Sequence, residues 1–150
     1  MSRVAGTGLT GMPTEIELLE ALVGTWTTEG SHPELPDAIH GVATFEWLDG
    51  KRFLIGRTHY EHPQIPDAAT VTGVTDERLT MHYFDSRGVF RVYSVAMSQG
   101  TWRFWRDDPA FSQRFTGTFD DDGDTITGRG SYSRDGGDWT DDLALTYRRR

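Results

Sequence analysis

The chain has 150 residues, no cysteine and a hydrophobic fraction of 36%, to which five Trp, eight Phe and five Tyr contribute most of the bulk. Each aromatic side chain buries roughly 150–250 Å², so the rings make up for the thin aliphatic content and wholesale disorder is excluded. Without cysteine there is no disulfide framework, thiol nucleophile or thiolate metal site. Fifteen basic against 23 acidic residues give a net charge of -8, which argues against nucleic acid and anionic lipid as partners.

No apolar stretch reaches the roughly 18–20 residues of a membrane helix, and no basic-then-apolar leader opens the chain, so a cytoplasmic location is expected. Lys51 is the only lysine. Its place at a turn argues against Schiff-base chemistry, and the remaining cations are all arginine, suited to anion recognition. Arg148, Arg149 and Arg150 read as a solvated tail.

Residues 1–12 lack periodicity and predict a flexible lead, followed by a single domain over 13–150. Thr10 to Pro13 signal a helix start, and Ile16, Leu18, Leu19 and Leu22 recur at helical spacing over 14–22, with Glu15 and Glu17 in the first turn. Gly24 ends that helix. Beyond it the pattern turns to short β-type runs at 25–29, 41–48, 51–61, 69–75, 79–85, 89–97, 101–106, 111–119, 124–133 and 139–148. Most separators are short, Asp49-Gly50, Arg87-Gly88 and Gln99-Gly100 among them, and permit hairpins but not parallel crossovers. Two longer gaps hold Pro33 and Pro36, then Pro63 and Pro66. A meander of about ten strands must dispose of its edges, so the expected fold is all-β: an antiparallel up-and-down barrel with a short N-terminal helix.

Turn geometry then selects the inward side chains. A type I turn at Leu48-Asp49-Gly50 would set Trp47 opposite Lys51, and the interior row would run Phe53, Ile55, Arg57, His59 beside Phe45 and Trp47. A three-residue turn ending at Gly88 sets Asp85 opposite Val89 and puts Met81, Tyr83, Asp85, Arg91, Tyr93, Val95 and Met97 on one surface. Trp102 and Phe104 continue it. Phe111, Gln113, Phe115 and Phe119 share a face, as do Ile126, Gly128, Gly130 and Tyr132. A last inward row holds Trp139, Asp141, Leu143, Leu145 and Tyr147. Glycines 117, 128 and 130 leave space. The interior so assembled is aromatic with embedded polar groups, which must pair, meet water or meet a ligand. An Asp85–Arg91 pair closing one end of a packed barrel is the purely structural alternative.

The helix leading into Leu22-Val23-Gly24-Thr25-Trp26, followed by ten meandering strands, resembles the calycin-like barrels: lipocalins, fatty-acid-binding proteins and nitrobindins. The segments Tyr83-Phe84-Asp85-Ser86-Arg87-Gly88-Val89 with Arg91 and Tyr93, Gln113-Arg114-Phe115-Thr116-Gly117-Thr118-Phe119, and Asp138-Trp139 through Tyr147 are similar to a bacterial calycin-like family without an assigned reaction. The resemblance implies a barrel with an internal cavity. It also implies that Trp26 plugs the base under Arg148 or Arg149 through a cation–π contact.

The expected function is binding of a small, largely apolar molecule with a polar or anionic end. Phe45, Trp47, Phe53, Tyr93, Trp102, Phe104 and Phe115 would supply burial, and Arg57, His59 and Arg91, the last held by Tyr83 and Asp85, would receive the polar end. Three alternatives stay open: a cyclase- or isomerase-type enzyme using Tyr83, Asp85 and Arg91; a haem protein; and a packed barrel acting through its surface or as a homodimer. Nitrobindins hold haem through a histidine near the C-terminus. The last strand here has none, which leaves His59, or His82 in a reversed register. No metal site is expected: His59 and His62 are followed by Pro63, and Asp120 to Asp124 reads as a solvated turn rather than a calcium loop.

Overall fold

The structure, a computed structural model, describes residues 14–150. The expected lead over 1–12 and the start signal at Thr10 to Pro13 lie outside the described residues. Thr14 and Glu17 form a capping box in which the Thr14 hydroxyl accepts from the Glu17 N–H and the Glu17 carboxylate accepts from the Thr14 N–H. The helix expected over 14–22 is one α-turn, α1 (Glu15–Leu18), tightened into a 3-10 turn over Leu19–Leu22. Leu19 and Leu22 are buried on its inner side.

Ten strands follow: β1 (Gly24–Ser31), β2 (Ile39–Trp47), β3 (Phe53–Tyr60), β4 (Ala68–Thr75), β5 (Arg78–Asp85), β6 (Phe90–Ser98), β7 (Thr101–Arg106), β8 (Phe111–Phe119), β9 (Thr125–Arg134) and β10 (Thr140–Arg149). Each pairs antiparallel with its neighbours in sequence, and β1 pairs with β10 to close the barrel. Closure removes both sheet edges, the liability that a ten-strand meander otherwise carries.

The two ends differ. At the closed end Trp26, fully buried, donates its Nε1–H to Leu22 O at 2.9 Å. Arg149 lies over its ring with Cζ 4.2 Å from the centroid. The same guanidinium donates to the carbonyls of Ala21, Val23 and Gly123 and pairs with Asp124 at 2.9 Å. Gly24, at φ +131, lets Arg149 approach: a Cβ there would stand 2.8 Å from Nη1. The base closure expected of Trp26 is therefore made by Arg149.

Two register findings reset which side chains face in. Leu48 N–H donates to Phe53 O and Lys51 N–H to Leu48 O, so Asp49 to Arg52 form a four-residue loop and Trp47 pairs with Leu54 rather than Lys51. The shift is three residues, an odd number, and odd shifts exchange the two faces of a strand. Leu54, Gly56, Thr58 and Tyr60 consequently share the face of Trp47, Phe45, Ala43 and Gly41, while Arg57 and His59 are exposed on the outer wall. The expectation that Phe53, Ile55, Arg57 and His59 form an interior row is thus corrected: all four lie on the outer face of β3. Gly56 also explains the preference: its missing Cβ would lie 2.9 Å from the Phe45 ring, so the glycine makes room for an inward aromatic.

The second finding is a β-bulge in β10. Asp141 pairs with Ser131 and Ala144 with Arg129, leaving Asp142 and Leu143 together opposite Gly130. Leu143, Leu145 and Tyr147 face in as expected. Before the bulge the parity reverses, so Trp139 lies outside, 40% exposed, with the Arg114 guanidinium 3.7 Å from its ring centroid.

Candidate functional site

The loops joining β1–β2, β3–β4, β5–β6, β7–β8 and β9–β10 all rim the end opposite α1. A cavity of about 760 Å³ opens there and runs down into the barrel. That volume falls in the range of small-molecule sites, roughly 300–1,000 Å³. Its wall is a continuous set of ring contacts. Phe104 stacks on Phe115 at 4.7 Å, Trp102 meets Phe115 edge-on at 5.3 Å, and Tyr93 meets Phe104 at 5.3 Å. Phe45, Met81 and Leu145 complete the apolar lining.

Of the residues the sequence singles out, Tyr83, Arg91, Tyr93, Trp102, Phe104 and Phe115 line this cavity. They do so because Tyr83 pairs with Arg91, Met81 with Tyr93, Met97 with Trp102 and Phe104 with Phe115 across tight hairpins. Trp47 does not line it. It lies at the closed end, where its Nε1–H donates to Glu20 Oε1 at 2.8 Å. Arg57 and His59 border a shallow outer depression, and His59 Nδ1 is 2.9 Å from Asp67 Oδ1.

Asp85 faces inward but is fully engaged. Arg87 grips its carboxylate at 2.7 Å, the Tyr83 hydroxyl donates to it at 2.8 Å, and the backbone N–H of Arg87 donates at 2.9 Å. The expected partner, Arg91, is not among them, so the Asp85–Arg91 pair is replaced by Asp85–Arg87. A carboxylate two residues before an N–H it accepts from forms the local turn that this hairpin needs. Burial alone would raise the Asp85 carboxyl, but the bonds from Arg87 and Tyr83 outweigh it and hold its pKa well below the usual carboxylate range. Burial, then Asp85, push the Tyr83 phenol far up. Both shifts lead away from neutral pH, the reverse of what acid–base catalysis asks of a proton-transfer pair.

Arg91 instead donates to Gln113 Oε1 at 3.2 Å, and the Tyr93 hydroxyl donates to the same oxygen at 2.6 Å. Burial raises the Tyr93 phenol, with Arg91 pulling the other way, so it stays a donor. The Arg91 guanidinium lies 5.1 Å from the Phe111 ring centroid, and that of Arg134 lies 5.4 Å from the same centroid. Among the described residues neither guanidinium is within 4.0 Å of a carboxylate, in contrast to Arg87 and Arg106. The mouth therefore presents Arg91 and Arg134 without ion-pair partners on an aromatic rim, within a chain that is acidic as a whole.

Among the lining residues that the sequence analysis does not place inside are His32, Tyr60, Arg106, Arg134 and Asp142. Extending the inward rows by two residues, from Phe104 to Arg106 and from Tyr132 to Arg134, finds two of them. Asp142 faces in only because of the β10 bulge. It lies 3.2 Å from His32 Nε2, while His32 Nδ1 accepts from the Glu34 N–H at 3.0 Å. Both His32 nitrogens are thus engaged, His59 is outside and His82 packs on Phe90 on the outer wall. His59 and His82, the two histidines expected to offer a haem ligand, therefore both lie outside the cavity.

The chain matches no family model and no curated protein in sequence. Solved structures do match. Rv2717c from M. tuberculosis is similar over 93% of this chain and 99% of its own, at 14% identity and a TM-score of 0.63. The S-type phycobiliprotein lyase CPES from Guillardia theta is similar over 95% of this chain and 96% of its own, at 11% identity and a TM-score of 0.57. The fold is that of the calycin-like barrels. At these identities the likeness extends to the fold, and the calycin-like barrel here has its own set of mouth and cavity side chains.

Proposed function

We propose that this calycin-like barrel binds a small, largely apolar molecule with an anionic end, inserted ring or chain first through the mouth. The observation that carries the reading is the pairing of a ring-lined cavity of about 760 Å³ with the unpaired guanidiniums of Arg91 and Arg134 at its entrance. Arg91 is half-buried without a carboxylate partner, which is costly, and an incoming anion supplies the missing charge; the exposed Arg134 adds to the positive potential at the entrance. Gln113 and Tyr93 orient Arg91, and the remaining Arg91 donors form the receiving group. The net charge of -8 argues against nucleic acid or an anionic membrane as the partner.

The test uses two fluorescent probes of one shape, 8-anilinonaphthalene-1-sulfonate and the uncharged N-phenyl-1-naphthylamine. The native protein binds both, and Arg91→Ala weakens the sulfonate about tenfold to a hundredfold while sparing the neutral probe, as loss of a charge-assisted hydrogen bond requires. Arg57→Ala and His59→Ala, on the outer wall, change neither. Equal loss of both probes in Arg91→Ala, or no binding by the native barrel, defeats the proposal.

A further inference from the structure

One row of the cavity wall, rising from near the base at Tyr147 to the mouth end of β3 at Tyr60, carries polar groups of its own. Tyr147 of β10 pairs with Thr28 of β1, Thr28 with Gly41 of β2, and Gly41 with Tyr60 of β3, so one inward row runs Tyr147, Thr28, Gly41, Tyr60 across four strands. Gly41 lets this row close up: a Cβ there would lie 2.9 Å from both Thr28 Oγ1 and Tyr60 Cδ1. Thr28, 3% exposed, holds the buried side-chain oxygen that lacks any hydrogen-bond partner among the described residues. Tyr60 and Tyr147 both line the cavity. Burial alone raises the Tyr147 phenol, with no hydrogen bond or charge acting on it, and burial with the neighbouring Tyr147 raises Tyr60.

Phenylalanine would fill these two positions equally well by volume, and a buried phenol ordinarily has a partner. The alternative of an all-apolar wall is what a cavity for simple alkyl chains would show. Instead hydroxyls are concentrated on one patch of the wall, on β10, β1 and β3, apart from the Arg91 group on β6. Ring contacts of 5.3, 5.5 and 5.9 Å lead from Tyr93 through Phe104 and Trp102 to Tyr147, and Tyr147 meets Trp26 of the base edge-on at 6.4 Å, so the Tyr147 end of the patch lies deep in the barrel.

We infer that Tyr60 and Tyr147 form a second polar subsite that selects ligands bearing a hydroxyl or carbonyl at the end remote from their anionic group. The inference rests on the proposed binding of an anionic, largely apolar molecule in the same cavity. It narrows that class from plain amphiphiles to rigid molecules polar at both ends.

Titration of the full chain with trans-4-carboxystilbene and with its 4′-hydroxy derivative tests it. The hydroxylated probe binds about tenfold more tightly than its parent, the gain of an added neutral hydrogen bond in a desolvated site. Tyr60→Phe and Tyr147→Phe, singly and together, erode that preference toward unity and leave affinity for the parent unchanged, which also shows that the variants fold. Arg91→Ala weakens both probes by the same factor. Equal affinity of the native protein for the two stilbenes, or a preference that survives the double variant, overturns the subsite and leaves the binding proposal standing. Failure of the native protein to bind either stilbene overturns both.

Discussion

Truncating Arg149 to alanine removes the closure of the barrel base, and its cost follows from the contacts. The guanidinium sits 4.2 Å from the centroid of a fully buried Trp26, a geometry worth about 1–2 kcal/mol. Its bonds to Ala21 O and Val23 O fasten the turn after α1 to the end of β10, and charged donors of this kind contribute about 1.5 kcal/mol each. The Asp124 pair adds little, because that carboxylate is 59% exposed. These terms share one side chain and do not add fully, so Arg149→Ala is expected to lose about 3–4 kcal/mol, which for a chain of this size lowers Tm by about 10 °C. Urea unfolding followed by tryptophan fluorescence measures the loss, with an unchanged slope showing that the denatured state is unaffected. Arg149→Lys keeps the charge but not the fork and recovers less than half. A loss under about 1 kcal/mol, or full rescue by lysine, refutes the view that the planar fork holds the base shut.

Two further predictions concern the wall. Asp85 has a folded-state pKa depressed below its unfolded value near 3.9, so its contribution to stability is present above about pH 4 and is lost as pH falls further. Asp85→Asn should therefore cost about 2 kcal/mol at pH 7, with the gap to the native protein narrowing below pH 4 in pH-dependent urea unfolding; a gap constant down to pH 3 contradicts the assignment. Gly128→Ala places a Cβ 2.5 Å from Phe115 Cζ, and Phe115 is held by its stack on Phe104, so overpacking of about 1–3 kcal/mol is expected. Calorimetry giving an unchanged or higher Tm would show that the ring yields freely.

Strand number, order and closure were legible because they depend on turn residues and period-2 alternation, both local. Observed strand bounds lie within two residues of the expected runs, and the β5–β6 and β6–β7 hairpins place Tyr83, Arg91, Tyr93, Trp102 and Phe104 inward as expected. These hairpins end in glycine at positive φ, Gly88 and Gly100, which fixes their turn length. The Asp49-Gly50 loop carries the same kind of turn residues but closes differently. Gly50 is left-handed there as expected, but Lys51, at φ 52, is left-handed too, and Arg52 extends the loop by a further residue. Nothing local in the sequence signals a non-glycine residue with positive φ.

The β10 bulge leaves no sequence signal for a different reason, and it matters more to function. A bulge is invisible to alternation on either side of it; only the change of phase betrays it, and here the residues that change phase are Asp141 and Asp142, which are alike. Had β10 kept one phase, Trp139 and Asp141 would point inward, a large ring beneath the mouth and a carboxylate facing Arg134. With the bulge, the ring moves outside onto Arg114, and Asp142 turns in to engage His32. Because the β2–β3 loop likewise turns Arg57 and His59 out, the cations that face the mouth come from β6, β7 and β9 rather than β3. Two odd-numbered register changes, three residues at the β2–β3 loop and one at the β10 bulge, thus decide which charged side chains face the cavity. The site is set by the parity of loops more than by composition.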